Sequence, residues 1–119
     1  MMKNSSLLLS AIVVVGPCRT RAQRVINALY AQTVVESIEI IVIDLAPSGT
    51  PTLETAPGVR VTYLSRPEMM LWSRARVEGV QHAQAPIVAF IEDHCFPEPG
   101  WAEALIEAHQ GPWGAVGYG

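Results

Sequence analysis

The chain has 119 residues, of which 50% are hydrophobic and only 16% are charged, with nine glycines and nine prolines. This composition is too apolar for a disordered protein, and the frequent proline and glycine exclude a long helical rod. The formal net charge is −3, whereas nucleic-acid-binding proteins usually carry an excess of basic residues. We therefore predict no nucleic-acid partner. The two cysteines, Cys18 and Cys95, form no CxxC motif and indicate neither a disulfide framework nor a zinc knuckle.

The first apolar segment, residues 7–15, could be a signal peptide or a buried strand. It is far shorter than the roughly 20 residues that cross a bilayer, and no small-x-small cleavage site follows it. Its centre, Ile-Val-Val-Val at 12–15, is β-branched, as is typical of a strand buried on both faces. We therefore predict a strand.

Strand-like and helix-like segments alternate along the rest of the chain. Three further strands are predicted, over residues 38–43, 59–64 and 87–91, the second of these half-exposed. Apolar residues at helical spacing predict helices over residues 20–32, 71–82 and 101–109, with Thr20 capping the first. Residues 46–57 form a predicted loop, and residues 114–116 are expected to open a fifth strand. This alternation predicts an α/β fold with a mainly parallel sheet flanked by helices.

The only two aspartates, Asp44 and Asp93, each directly follow an apolar strand. An aspartate there is often merely a turn residue. In an open parallel sheet, however, ligands bind in the crevice beyond the carboxyl ends of the strands. Two acids at two strand ends can face the same crevice, so we predict a ligand site at this edge.

Glu92 and His94 flank Asp93 and suggest a metal site. On an extended segment, side chains two residues apart point the same way, so Glu92 and His94 would converge while Asp93 points elsewhere. One or two such ligands suit a hard divalent cation, Mg²⁺ or Mn²⁺, whose shell phosphate oxygens and water complete. His82 and His109 lie on other elements near helix ends, where solvation or compensation of the helix dipole explains them better.

Several motifs follow one another in a fixed order. A strand closed by Pro17 leads to a helix ending in Ala-Gln-Thr at 31–33, and the next strand ends at Asp44. The later motifs are Ser-Arg-Ala-Arg-Val-Glu-Gly at 73–79, a strand ending in Glu-Asp-His at 92–94, Pro-Glu-Pro-Gly-Trp at 97–101 and Gly-Ala-Val-Gly at 114–117. As an ordered set over residues 10–117, they resemble the family 2 glycosyltransferases.

The resemblance implies a Rossmann-like GT-A fold and an enzyme that transfers a sugar, with inversion, from a nucleotide-sugar donor to an unknown acceptor. The nucleotide-binding positions that it implies are Pro17, Asp44, Arg76, Glu92 and Asp93. Asp44 would contact the base or its ribose, and Arg76 would orient the nucleotide. His94, with Glu92, would hold Mn²⁺ or Mg²⁺. A divalent ion neutralises the departing pyrophosphate, and a general base must activate the acceptor hydroxyl.

The sequence departs from the family pattern in several places. Leu45 replaces a second acid after Asp44, and Val77 stands where the family has asparagine. The family's acceptor half would follow Gly119, so we expect the catalytic base beyond that residue. Residues 1–119 would then be a single truncated nucleotide-sugar-binding domain, inactive alone. We expect an exposed sheet edge through which it could form a homo-oligomer, and a cytoplasmic location, with any membrane association supplied by parts beyond Gly119.

Two other classes of function stay open. The chain could be a non-catalytic nucleotide-binding or regulatory module, which the altered motifs would suit. It could also be a different enzyme whose nucleophile is Cys18, at a strand end and close to a helix N-terminus. For Cys18 the simpler interpretation is a small apolar residue in the first helical turn, since free cysteines are usually buried and inert.

Overall fold

The sheet and its helices are seen in a computed structural model that describes residues 7–68 and 71–111. The strands are β1 (Leu9–Val15), β2 (Ile38–Asp44), β3 (Arg60–Ser65) and β4 (Ile87–Glu92). The helices are α1 (Arg19–Tyr30), α2 (Trp72–His82) and α3 (Trp101–Ala108), with a short 3-10 helix at Val35–Ser37. The fifth strand predicted at 114–116 lies outside the described residues. No helix in the described ranges has both the length and the apolar character needed to cross a membrane.

The four strands form one parallel sheet in the order β3-β2-β1-β4. Every residue of the two central strands, β1 and β2, is buried, which explains their nearly continuous β-branched sequences. The flanking strands β3 and β4 are largely half-buried or exposed. The predicted α/β fold with a mainly parallel sheet is therefore confirmed.

Helices cover both faces of the sheet. On one face, α1 and α3 pack their buried residues against alternate residues of β1 and β2, including Leu9, Val13 and Ile40. On the other face, α2 packs Ala75 against Ile12, among others. This alternation along β1 follows from the two-residue period of a strand.

A glycine sets how closely α2 approaches the sheet. A Cβ atom added at the buried Gly79 would lie 2.6 Å from Cγ2 of Ile12, closer than real Cβ contacts. The helix backbone therefore lies directly against β1, and no side chain fits between them.

Helix α1 differs from the prediction at both ends. It begins at Arg19 with Cys18 as N-cap, so Thr20 is inside the helix and does not cap it. Its end at Tyr30 precedes Gln32, whose buried side chain instead contacts the start of α3. There Oε1 of Gln32 accepts a hydrogen bond from the backbone N–H of Ala102 (2.8 Å). The Nε2 atom of Gln32 donates to the carbonyl of Glu98 (2.8 Å).

A buried polar cluster closes the amino edge of the sheet. The hydroxyl of Ser10 on β1 donates to the carboxylate of Glu39 on β2, and Glu39 also accepts from the backbone N–H of Gln84 (2.6 Å). The backbone N–H of Ala85 in turn donates to the Ser10 oxygen (3.1 Å). These contacts use the polar groups at this edge to join the residues before β4 to the central strands.

Candidate functional site at the carboxyl edge of the sheet

The carboxyl ends of β2 and β4 flank the end of β1. Asp44 pairs with Val15, and Glu92 pairs with Val14, so the acidic residues that end or follow the two strands lie at the same edge. Two strand spacings separate β2 from β4, which is roughly 10 Å. The predicted common edge for Asp44 and the 92–94 segment is confirmed.

Asp44 is the centre of a hydrogen-bonded network. Arg19 donates to its two carboxylate oxygens, from Nη1 to Oδ1 (2.9 Å) and from Nη2 to Oδ2 (2.8 Å). The backbone N–H of Ala46 also donates to Oδ1 (3.0 Å), and the hydroxyl of Tyr63 donates to Oδ2. A carboxylate has about four acceptor positions, and these donors occupy them all.

The same network shifts the pKa values of its members. Burial would raise the pKa of Asp44, but hydrogen bonds from Arg19 and Tyr63 outweigh it and hold that pKa below its usual value. The hydrogen bond to Asp44 raises the pKa of Arg19. Burial, together with the bond to Asp44, raises the pKa of the Tyr63 phenol. The ionised carboxylate is therefore favoured in the folded chain.

The network also holds the loop that leads from β2 to β3. Arg19 Nη2 donates to the carbonyl of Pro51 (2.8 Å), and the Tyr63 oxygen accepts from the backbone N–H of Leu53 (3.0 Å). The loop is thus fixed beside Asp44 at the carboxyl edge of the sheet.

Asp93 turns inward. Its side chain is buried, and Oδ2 accepts a hydrogen bond from the backbone N–H of Gly16 at the end of β1 (3.1 Å). The carbonyl of the same Gly16 accepts from Arg19 Nη1 (3.2 Å). Gly16 therefore connects the Asp44 network to the residues that follow β4.

Glu92 and His94 converge, as predicted, but for a different reason. Strand β4 ends at Glu92 and the next residues form a turn, so strand alternation does not apply. The turn places His94 Nε2 2.9 Å from Glu92 Oε1, with both side chains exposed. Arg76 Nη2, from α2, lies 3.6 Å from Glu92 Oε2.

These residues line a cleft of about 380 Å³, which we call the polar cleft. Its lining residues are Arg21, Trp72, Arg76, Glu92, Asp93 and His94. Four of the predicted site residues thus meet in one cavity, whereas Asp44 lies on the other side of Gly16. Pro17, also predicted, is exposed between Gly16 and the N-cap of α1.

Sequence reasoning missed Arg19, Arg21 and Trp72. A signal was present for the two arginines: the first turn of α1 carries cations and no acid, although the positive end of the helix dipole disfavours cations. Arg19 binds Asp44, and Arg21 Nη2 lies 3.9 Å from Asp93 Oδ1. Carboxylates at the sheet edge offset the unfavourable charge.

The remaining candidates lie outside the polar cleft. The Nδ1 atoms of His82 and His109 lie at hydrogen-bonding distance from a backbone carbonyl one turn earlier, at 3.0 and 2.9 Å respectively. Both contacts agree with a structural role at a helix end. Cys18 is exposed, although we expected it to be buried. As the N-cap, it precedes the residues that form the buried face of α1.

The sequence matches the family model of Glycosyl transferase family 2 over residues 10–117. No curated protein matches it in sequence. Its fold is similar to that of mannosyltransferase PcManGT from Pyrobaculum calidifontis, solved in complex with GDP-Man and Mn²⁺, with a TM-score of 0.79 and 20% identity. That match covers 87% of this chain and 32% of PcManGT.

A second similar structure is residues 1–349 of S. aureus TarS, with a TM-score of 0.66 and 15% identity, covering 87% of this chain and 33% of that one. The chain thus spans about a third of the length of these two neighbours. At these identities the likeness shows the fold, which is of the GT-A type. The family match covers nearly the whole sequence, and the chain belongs to glycosyl transferase family 2.

Proposed function

We propose that this chain is the donor-binding part of a glycosyltransferase that uses a nucleoside diphosphate sugar and a divalent cation. The observation that carries the proposal is the polar cleft, where Arg21 and Arg76 face Glu92 and His94 at the carboxyl edge of the sheet. Guanidinium groups suit phosphate oxygens, and a carboxylate beside an imidazole suits a divalent cation. PcManGT, with the same fold, was solved with GDP-Man and Mn²⁺, which supports this class of ligand.

The geometry of Glu92 and His94 fits one octahedral ion. Neighbouring ligands around an octahedral ion at about 2.1 Å lie about 3 Å apart. Glu92 Oε1 and His94 Nε2 are 2.9 Å apart and exposed, so they could occupy adjacent positions while phosphate and water fill the others. When bound, Mn²⁺ or Mg²⁺ would supply charge neutralisation at the pyrophosphate.

We assign distinct parts of the nucleotide to the two sides of Gly16. Arg21 and Arg76 bind the diphosphate, and Trp72 offers an aromatic surface in the same cleft. We expected Asp44 to contact the base or its ribose. Because Arg19, Ala46 and Tyr63 fill its acceptor positions, we propose that it acts at the nucleoside end indirectly, by holding Arg19 and the adjoining loop in place. Pro17 and the buried Asp93 shape the turn between the two parts.

Inverting transfer needs a base on the face of the sugar opposite the departing diphosphate. We propose that this base lies outside residues 1–119, and that this chain on its own binds the donor but does not transfer the sugar.

Calorimetric titration of UDP, GDP and dTDP, with Mn²⁺ or with EDTA, tests the proposal. Because the cation offsets phosphate charge next to Glu92 and Asp93, we expect Mn²⁺ to tighten nucleotide binding by about 5- to 150-fold. His94→Ala should remove most of that gain, whereas His82→Ala, a matched change outside the cleft, should retain it. Failure of every nucleotide to bind, or binding indifferent to Mn²⁺ and to His94→Ala, would refute the proposal.

A further inference from the structure

A third potential metal ligand stands beside Glu92 and His94. Ligand atoms of Glu92, His94 and Cys95 all lie within 4.8 Å of one another, and all three residues are exposed. We propose that Cys95 joins the other two to form a site that prefers the borderline ions Zn²⁺ and Co²⁺ to Mn²⁺ and Mg²⁺. This inference rests on the proposed metal role of Glu92 and His94, but it does not require nucleotide binding.

The turn after β4 explains how three residues so close in sequence can all supply ligands to one ion. The backbone N–H of Cys95 donates to the carbonyl of Glu92 (3.1 Å), so the chain folds back and returns Cys95 to the end of β4. The next residue, Phe96, is held by Arg24 of α1, whose guanidinium carbon lies 4.0 Å from the ring centroid. The turn is therefore fixed on both sides of the proposed ligands.

The chemistry of the donors sets the preference. Glu92, His94 and Cys95 offer oxygen, nitrogen and sulfur, and three protein ligands with one open position are typical of a zinc site with an exchangeable fourth ligand. Thiolate is a poor ligand for Mg²⁺ and a good one for Zn²⁺, and nitrogen and sulfur sites bind Co²⁺ and Zn²⁺ more tightly than Mn²⁺. The thiol proton passes to the buffer when sulfur binds the ion.

Side-chain rotation can bring the three ligand atoms to the distances that a tetrahedral metal ion requires. Tetrahedral Zn²⁺ with bonds of about 2.0–2.3 Å keeps its ligand atoms about 3.3–3.8 Å apart. Glu92 Oε1 and His94 Nε2, now 2.9 Å apart, need to separate by a few tenths of an ångström. The Cys95 sulfur, which lies within 4.8 Å of both ligand atoms, needs to move by about an ångström at most. Because all three side chains are exposed, no core packing opposes this adjustment.

Titration of the nucleotide-free chain with Co²⁺, in a non-thiol reductant, tests the inference by absorption. We expect a saturable thiolate-to-cobalt charge-transfer band at one ion per chain, which Zn²⁺ abolishes and equimolar Mg²⁺ does not. Cys95→Ser should eliminate the band and weaken Zn²⁺ binding by roughly tenfold or more, a loss of at least about 1.4 kcal/mol. Cys18→Ser is the matched control, because Cys18 is also exposed but outside the ligand cluster.

Alkylation of the wild-type chain, read by mass spectrometry, gives a second readout without any variant. Zn²⁺ should slow modification of Cys95 and leave that of Cys18 unchanged. Absence of the band in the wild type, its persistence in Cys95→Ser, or equal protection of both cysteines would overturn the inference.

The two proposals fail in different ways. If only the Cys95 inference is wrong, Cys95→Ser keeps full Mn²⁺-dependent nucleotide binding and the wild type shows no thiolate band. If only donor binding is wrong, the band forms at one ion per chain and no nucleotide binds.

Discussion

Arg19 donates two parallel hydrogen bonds to Asp44, at 2.9 and 2.8 Å, across 25 positions of sequence. The pair joins the first turn of α1 to the end of β2, and the Asp44 side chain is only 3% exposed. It therefore fixes the entrance to the proposed nucleoside end of the site by a charge-assisted contact of defined geometry.

Replacing Asp44 tests how much this pair stabilises the fold. Asp44→Asn removes the charge and one acceptor oxygen, so we expect a loss of about 1.5–3 kcal/mol in the free energy of unfolding, measured with urea. Glu103→Gln is the control, because Glu103 is exposed, its hydrogen bond from Thr33 is exposed, and the change should cost no more than about 0.5 kcal/mol. Equal losses in the two variants would contradict the account.

The lowered pKa of Asp44 gives a pH dependence of defined sign. A carboxyl whose pKa is lower in the folded than in the unfolded chain stabilises the fold above its unfolded pKa of about 3.9. That stabilisation is lost as the pH falls through the folded value. The urea midpoint of the wild type should therefore decrease in acid more than that of Asp44→Asn, and the two should converge.

Glu36→Gln controls for net charge in this experiment, because it removes an exposed carboxylate. Parallel acid profiles for the wild type and Asp44→Asn would show that Asp44 does not contribute to acid sensitivity.

The contact between Gly79 and Ile12 predicts an inverted effect of alanine. Alanine normally stabilises a helix interior relative to glycine by about 1 kcal/mol. At Gly79 the added Cβ would meet Ile12 Cγ2 at 2.6 Å, so Gly79→Ala should cost about 1–3 kcal/mol instead. Combining it with Ile12→Ala should cost less than the sum of the two single changes. Gly100→Ala, where the new Cβ meets open space, is the control, and additive losses would argue against the clash.

Gln32 should be needed for the start of α3. Gln32→Ala leaves the N–H of Ala102 and the carbonyl of Glu98 without this partner, and we expect a loss of about 2–3 kcal/mol. Gln32→Glu should also destabilise, because a carboxylate can accept from Ala102 but cannot donate to Glu98. Thr33→Val, which removes only an exposed bond to Glu103, should change thermal unfolding little. If Gln32→Glu left the stability unchanged, the hydrogen bond that the Gln32 amide donates would not be needed.

The central strands and the common edge were predictable because strong local signals specify them. Continuous β-branched sequences predict β1 and β2, and Asp44 and Asp93 mark strand ends at which parallel topology creates a single edge. The partners of these acids were not predictable in the same way. Arg19 meets Asp44 only after α1 packs on the sheet, and helical periodicity does not indicate which way a first-turn side chain points.

The position of Cys95 could not be predicted from sequence patterns either. Alternation assumes an extended segment, but the chain turns directly after Glu92, and that turn brings Cys95 back toward His94. Single-residue differences in where a strand ends thus decide which side chains share a site.

Amide NMR mapping of a bound nucleoside diphosphate with Mg²⁺ tests whether the carboxyl edge of the sheet binds the donor. We expect GDP, UDP or dTDP to shift the amide resonances of Gly16, Arg21, Arg76 and His94, and to leave the resonance of Glu39 at the opposite edge unchanged. Shifts concentrated around Glu39, or none at saturating nucleotide, would contradict this expectation.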